Sequence, residues 1–244
     1  MDRMIYLAMS GAKATMQRQE SLANNLANVS TTGFRAELQA FRAVPVRGDG
    51  ASTRVYALET TLGHSDAPGV ITNTGRPLDV AMQGNAWLAV QSLDGTEAYT
   101  RNGAMTVGTD GTLMTHNGLV VLGDGGPIQV PNNATVAIAA DGTVSAKGPT
   151  GPVTPLGRLK LVTPEEPLQR GTDGLFRSAQ GEDLPADPNA RVQDGALEGS
   201  NVSAIDTMVS MIAAARQFEA QMKMLQTAER NEQAAGSLLS NNAT

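Results

Sequence analysis

The chain has 244 residues, a formal net charge of −6, 41% hydrophobic residues and no cysteine. A chain of this length and composition is expected to fold into one or two domains, and the lack of cysteine excludes disulfide bonds and thiolate chemistry. The acidic balance argues against nucleic acid as a partner, and an aromatic content of only 3% argues against a large aromatic-lined ligand pocket.

The N-terminus lacks the features of a targeting segment. It carries an acidic residue at Asp2 and no continuous apolar core, so we expect no secretory signal peptide. No run of about 18 apolar residues occurs anywhere, so the sequence predicts no membrane insertion. A protein of this kind would leave the cytoplasm only by a route that needs no cleaved signal peptide.

The N-terminal segment has a helical pattern. Its apolar positions alternate in steps of three and four, which predicts a helix from about residue 4 to about residue 28 with nearly the period of coiled coils. Met9, Met16 and Ala23 widen this stripe. The stripe itself consists of Ile5, Ala8, Ala12, Thr15, Gln19, Leu22, Leu26 and Val29.

Three asparagines crowd the last turns of this predicted helix, although asparagine is a mediocre helix former. Asn24, Asn25 and Asn28 precede a Ser-Thr-Thr-Gly turn, in which Gly33 is expected to end the helix. Two interpretations stay open. The amides fix the register of packed helices by requiring hydrogen-bonding partners, or they are solvated polar groups near a helix end.

The middle of the chain is rich in Asp-Gly and Asn-Gly pairs, which are strong signals for hairpin turns. We predict an antiparallel β domain over residues 76–185, joined to the ends of the chain by connectors at 36–75 and 186–199. In the first connector, 41–46 is compatible with a strand, whereas 47–53 and 63–69 are turn-rich and predict loops. The predicted strands of the domain are Leu78–Met82, Ala86–Gln91, Ala104–Val107, Leu119–Leu122, Thr135–Ala139 and Leu159–Val162.

The last segment is again helical by pattern. Ser203 and Asp206 resemble a capping box, and the pattern fades near Gly236, where we expect fraying. The apolar stripe consists of Ile205, Met208, Val209, Ile212, Ala215, Phe218, Met222 and Leu225.

The predicted fold is therefore α+β and mainly β, with a central β domain inserted between terminal helices that pair like a coiled coil. The helices, at 1–35 and 200–244, form a discontinuous assembly domain. Either they stabilise the single chain by pairing, or they order only against neighbouring subunits. The predicted helix interface consists of Ile5, Ala12, Leu22, Val29, Ile205, Met208, Ile212, Met222 and Leu225.

The sequence predicts no catalytic, cofactor or metal site. His64 and His116 are the only histidines, and both lie in turn-like sequence that we interpret as surface loops. The Asp-Gly pairs lack the spacing of a calcium-binding loop, and no pair of carboxylates shares one face of a predicted element. We therefore expect no enzyme activity and no small-molecule substrate.

Two motifs lie near the ends of the chain. The N-terminal motif consists of Ala23, Asn24, Asn25, Leu26, Ala27, Asn28, Gly33, Phe34 and Arg35. The C-terminal motif consists of Leu197, Glu198, Ser200, Asn201 and Val202. Both motifs resemble those of a known family, the bacterial flagellar axial proteins, which are the rod and hook subunits of the basal body. The segment 78–131 is also similar to the core of that family, although Asn85 and Ala86 precede Trp87 where the family usually has a Gly-Phe-Phe motif.

The resemblance is greatest to a proximal-rod protein and implies a non-enzymatic subunit of a helical drive shaft that transmits torque from motor to hook. It implies proximal- and distal-rod neighbours as partners, export by the flagellar type III machinery, and a location in the periplasmic part of the basal body. Two alternatives remain: a distal-rod or hook subunit, or a secreted β-rich binding module whose helices form an oligomerisation stalk.

Overall fold

A computed structural model of the chain describes residues 4–45, 55–149 and 151–241. The predicted α+β architecture is confirmed, because helices α1 (Met4–Ala27) and α2 (Ala204–Asn241) flank an antiparallel β region. The strands are β1 (Glu37–Pro45), β2 (Val55–His64), β3 (Ile71–Asn73), β4 (Val80–Met82), β5 (Trp87–Gln91), β6 (Glu97–Thr100), β7 (Met105–Val107), β8 (Leu113–Thr115), β9 (Val120–Gly123), β10 (Gly126–Pro127), β11 (Thr135–Ile138), β12 (Thr143–Lys147), β13 (Val153–Arg158), β14 (Leu161–Val162), β15 (Gln169–Arg170), β16 (Phe176–Arg177), β17 (Val192–Asp194) and β18 (Ala196–Glu198).

The chain forms two compact units whose borders differ from the predicted domains. The helical unit contains α1, α2 and most of the two-stranded ribbon of β1 and β2, and the β unit contains residues 28–36 and 64–202. The predicted connectors were wrong in part, because β3 pairs with β18 and β4 pairs with β17. The return segment therefore belongs to the β unit. The predicted loop at 47–53 lies outside the described residues.

In the helical unit, α1 packs along α2 through small side chains. A Cβ atom added to Gly11 would lie 3.0 Å from the side chain of Gln221, so the helices approach closely there. Each small side chain buries less apolar area than a leucine or phenylalanine would. The buried residues of this contact are Ala8, Ala12 and Thr15 in α1 and Thr207, Ala214 and Ala228 in α2.

The predicted apolar stripe of α2 is exposed over its first two turns, whereas Ala215, Phe218 and Leu225 further along it are half-buried. Ile205, Met208 and Ile212 are 75%, 51% and 56% exposed, whereas Ala214 is 1% exposed. The sequence left open whether this stripe packs within the chain or against neighbouring subunits. In the single chain, the buried positions of α2 carry small side chains, which let the two backbones come together.

The N-terminal end of α2 agrees with the prediction from the sequence, and its C-terminal end does not. The Asp206 N–H donates to Ser203 Oγ at 3.4 Å, which confirms the predicted N-cap. At the other end the helix runs to Asn241 and includes Gly236, so it is longer than predicted. Neither helix in the described part of the chain is long and apolar enough to cross a membrane.

The β unit is built around one large sheet with the strand order β15-β16-β6-β5-β9-β8-β7, to which β10 and β14 add at β9 and β5. A second sheet has the order β11-β12-β13. All six predicted strands are present with ends that shift by one or two residues. The buried core includes Val80, Met82, Leu88, Val90, Met105, Leu113, Val121, Val144, Leu159 and Leu161.

Predicted turns connect many of these strands. Gly142, between β11 and β12, has a φ of +85°, which glycine adopts without strain. The Asp141 carboxylate accepts hydrogen bonds from the Thr143 N–H and hydroxyl at 3.0 and 2.9 Å, and these bonds lower the pKa of Asp141. Asp94 and Asp110 make the same pair of bonds to the threonine two residues later.

We predict that Ala214→Leu separates the two helices, because a larger side chain at this buried position overpacks the contact and costs about 1–3 kcal/mol. Ala213→Leu is the matched control, since Ala213 is the adjacent, exposed position. Amide hydrogen exchange in α1 and α2 measures the effect. Faster exchange in Ala214→Leu alone is expected, and equal exchange in both variants would contradict the assigned face.

Candidate functional site

A buried ion cluster joins three distant segments of the β unit. Arg35 Nη2 lies 3.0 Å from Glu198 Oε1, and Arg101 Nε and Nη2 lie 2.7 and 2.5 Å from Glu198 Oε2. The Gly69 N–H also donates to Oε1 at 2.9 Å. All three charged side chains are only 2–3% exposed. We call Arg35, Arg101 and Glu198 the clasp.

Backbone carbonyl groups satisfy the remaining donors of Arg101. This residue directly follows β6, and its guanidinium donates to the carbonyl oxygens of Met82 and Gly84 at 3.1 and 3.0 Å, and to that of Ala86. Its guanidinium carbon lies 6.0 Å from the centroid of the Trp87 ring, as does that of Arg35. The clasp is therefore held by the loop between β4 and β5 as well as by its own charges.

Gly33 brings Arg35 to Glu198. It has a φ of +69°, and an added Cβ would overlap with the backbone of Arg101 and Asn102. Its N–H donates to the Glu198 carbonyl oxygen at 2.8 Å. The prediction that Gly33 ends the helix was wrong, because α1 already ends at Ala27. Gly33 is instead required because the N-terminal segment passes close to the backbone that follows β6 and to the end of β18.

Asn201 ties the same two segments together beside the clasp. Its Oδ1 accepts from the Ala36 N–H at 2.6 Å, and its Nδ2 donates to the carbonyl oxygens of Ser65 and Ala67 at 3.1 and 2.8 Å. Its backbone N–H donates to the Phe34 carbonyl at 3.2 Å. Because the amide uses both its acceptor and its donors, neither aspartate nor leucine can reproduce these bonds.

The two sequence motifs therefore meet in space. Gly33, Phe34 and Arg35 come from the N-terminal motif, and Glu198 and Asn201 come from the C-terminal motif. Arg101 was missed by sequence reasoning because no local pattern distinguishes this buried arginine from the exposed arginines of the chain. Of the other C-terminal motif residues, Leu197, Ser200 and Val202 are half-buried.

The clasp carries an excess of positive charge, because two guanidinium groups share one carboxylate. Burial lowers the pKa of Arg35, the Glu198 carboxylate raises it, and the nearby Arg101 lowers it. Glu198 therefore supplies the counter-charge for both arginines. Loss of Glu198 would leave two buried cations unpaired, whereas loss of Arg35 would leave a one-to-one pair.

The asparagines at the end of α1 bind within their own chain. Asn25 is buried, and its amide accepts from the Glu37 N–H at 2.8 Å and donates to the Glu37 carbonyl at 3.0 Å. Asn24 donates to the Glu37 carboxylate at 3.2 Å, and Asn28 accepts from the Thr31 hydroxyl at 3.1 Å. Asn25 thus fixes the start of β1 against α1, a role that neither sequence interpretation included.

The remaining predicted assembly residues differ in exposure. In the N-terminal motif, Ala23 and Ala27 are exposed and Leu26 is half-buried. The predicted helix interface is divided in the same way. Ala12 is buried, Ile5, Leu22, Val29 and Leu225 are half-buried, and Ile205, Met208, Ile212 and Met222 are exposed.

The prediction of a surface-loop histidine was wrong for His64. Its ring contacts Phe176 edge-on, with 4.7 Å between centroids, and its Nε2 lies 3.1 Å from Asp66 Oδ1. Burial lowers the pKa of His64 and outweighs the opposing effect of the Asp66 carboxylate. His116 is exposed, as predicted.

The chemistry of the clasp is structural. Both oxygens of Glu198 are bound by guanidinium groups, so the carboxylate is not positioned as a base. Two clefts border the cluster, one of about 390 Å³ beside Phe34 and Arg170 and one of about 520 Å³ beside Ile71 and Met82. Within the described ranges, no group of three histidine, aspartate or glutamate side chains could hold a metal ion.

These features define a class of protein. The β unit is closed by buried charges from both ends of its sequence, and the chain continues at both ends into helices that keep large apolar side chains exposed. Exposed apolar surface of this kind marks sites of protein association. The chain has the properties of a subunit of a larger assembly.

Comparison with known proteins identifies the family. Residues 5–35 match the family described as "Flagella basal body rod protein", residues 81–146 match "Flagellar hook protein FlgE/F/G D1 domain", and residues 193–238 match "Flagellar basal body rod FlgEFG protein C-terminal". Each clasp residue lies in a different one of these three regions. The chain belongs to the flagellar basal-body rod protein family.

Individual relatives cover nearly the whole chain. Flagellar basal-body rod protein FlgF of Salmonella typhimurium is 50% identical over 98% of this chain and 99% of its own length, and FlgF of Escherichia coli K12 has the same values. FlgG of Agrobacterium fabrum is 30% identical over 93% of this chain and 95% of its own length. The resemblance read from the two motifs is confirmed.

We predict that Glu198→Gln destabilises the β unit by about 3–5 kcal/mol, because it leaves two buried cations without a counter-charge. Arg35→Met should cost less, since Arg101 and Glu198 remain paired. Urea denaturation followed by the fluorescence of Trp87, the only tryptophan, measures both. The control is Glu182→Gln at an exposed position. Equal losses for Glu198→Gln and Glu182→Gln would refute the role of the clasp.

We also predict that acid destabilises the β unit through His64. Because the pKa of His64 is lowered in the folded state, the unfolded chain binds the proton more readily, and stability falls as the pH drops below about 6.5. His64→Gln should reduce this loss, measured by urea denaturation at a series of pH values. His116→Gln is the control and should keep the wild-type dependence; a wild-type dependence in His64→Gln would exclude this role.

Proposed function

We propose that the chain is a non-enzymatic structural subunit of the flagellar basal-body rod, in its proximal part. The observation that carries this proposal is the 50% identity to FlgF proteins over 98% of the chain. The lower identity of 30% to FlgG of Agrobacterium fabrum favours the proximal-rod protein over its relative. The two bound oxygens of the Glu198 carboxylate are consistent with a structural role.

The subunit assembles through the apolar face of its helical unit that is exposed in the single chain. Ile205, Met208, Val209 and Ile212 form a continuous exposed apolar surface at the start of α2, and Met9 and Met16 are exposed on α1. A buried methylene group contributes roughly 0.8 kcal/mol, so covering these side chains supplies a substantial part of the association energy. Contacts between unlike faces of neighbouring subunits generate a helical array that need not close on itself.

The partners are other rod subunits, both proximal and distal, and the type III export machinery carries the chain to the periplasmic part of the basal body without a cleaved signal peptide. Torque passes from motor to hook through many apolar contacts between subunits. The names of the matching family and of its members, which are flagellar basal-body rod proteins, support the assignment of rod subunits as partners. The terminal helices form the assembly domain.

Deletion of the gene followed by electron microscopy of purified basal bodies tests the proposal. A rod that stops close to the membrane is the expected result, and a tagged copy of the chain should be located at that level when the gene is restored. A complete rod without this chain, or a tag located only in the hook, would contradict the assignment.

We predict that Ile212→Glu prevents incorporation into the rod while the β unit stays folded, because a carboxylate cannot be buried against a neighbouring helix without a large desolvation cost. The matched control is Gln217→Glu, which adds the same charge at an exposed polar position of α2. Immunoblots of purified basal bodies measure incorporation, and fluorescence of Trp87 reports folding. Normal incorporation of Ile212→Glu would show that this face is not an interface.

A further inference from the structure

The clasp takes its charges from opposite ends of the β unit's sequence. Arg35 lies near the start of that sequence, Glu198 lies near its end, and Arg101 lies between them. The backbone is joined at the same place, because Gly33 donates to the Glu198 carbonyl and Asn201 donates to the Phe34 carbonyl. The last residues needed for the clasp therefore arrive only when almost the whole unit is available.

A chain that lacks either end has two defects. Without the segment that contains Glu198, Arg35 and Arg101 would be buried near each other with no anion, which is strongly unfavourable. The same segment supplies β17 and β18, so β3 and β4 would also lose their partner strands. If the segment that contains Arg35 is absent, the closure also lacks Gly33 and Phe34.

We propose that the clasp is a completion lock, in which the β unit folds only when residues 33–35 and 198–201 have come together. A chain in which only one end of the β unit is available stays unfolded, whichever end that is. This inference concerns the order of folding and rests on the geometry of the β unit alone. It therefore stands or falls separately from the place of the chain in the rod.

The alternative is that the central sheet folds first and the clasp closes later. Hairpins such as β5–β6 and β7–β8 are local in sequence, and local contacts form readily before distant ones. The two orders of folding differ in when the sheet becomes protected from solvent exchange relative to the clasp.

Pulse-labelling hydrogen exchange during refolding of the full-length protein from urea separates these orders. The amides of Ala89 and Leu113 report the sheet, because they donate to Lys160 and Ile128. The amides of Gly33, Gly199 and Asn201 report the closure. The lock predicts one common phase for all five amides. Protection of the two sheet amides in an earlier phase, while the other three still exchange, would overturn it.

Substitution of the anion provides a second test. Glu198→Ala should slow the common phase on the order of tenfold or more, because the counter-charge is needed when the unit closes. The cleft of about 520 Å³ is lined by both Glu198 and Arg101, and it gives a small carboxylate access to the Arg101 guanidinium. Sodium acetate should therefore accelerate folding of this variant more than sodium chloride does at equal ionic strength.

The matched control for this test is Glu97→Ala, which removes another glutamate of the β unit that is paired at 2.7 Å with Lys160. It should show no specific response to acetate. An equal response of both variants to the two salts would overturn the role of the carboxylate. If Glu198→Ala folds in neither salt, the labelling of the unsubstituted protein decides between the two orders.

Discussion

The β unit depends on the ion pairs of Glu198, because its carboxylate is the shared counter-charge of two buried guanidinium groups. A buried ion cluster of this kind is not a strong source of stability by itself, since removing charges from water costs as much as their attraction returns. Its consequence is specificity. Arg35 and Arg101 lie on opposite oxygens of one carboxylate, so an arrangement that separates any of the three segments leaves a buried charge unpaired.

The helical unit follows a different principle. The buried positions of its two helices are mostly alanine and threonine, and α2 keeps Ile205, Met208 and Ile212 exposed. An apolar face that the single chain leaves exposed is consistent with a subunit that is completed by its neighbours. The same face would be a liability in a protein that works alone.

Sequence reasoning succeeded where the signal is local. The turn at Asp141 and Gly142 and the stripe from Ala8 to Leu22 could be read from neighbouring residues, and so could the two family motifs. The buried face of α2 was not predicted, because the largest apolar side chains were given more weight than the small side chains that allow helices to pack closely. Thr207, Ala214, Gln221 and Ala228 nevertheless follow a seven-residue period. The clasp could not be predicted, since nothing in the sequence around Arg101 indicates that Arg35 and Glu198 lie beside it.

The proposed assembly requires that neighbouring subunits cover the exposed face of α2 in the rod. The chain has no cysteine, so Met208→Cys introduces a single thiol on that face. Its alkylation rate can be compared between the isolated protein and purified basal bodies. Rapid modification of the isolated chain and strong protection in the assembled rod are the expected results. Equal rates in the two states would contradict the proposed assembly.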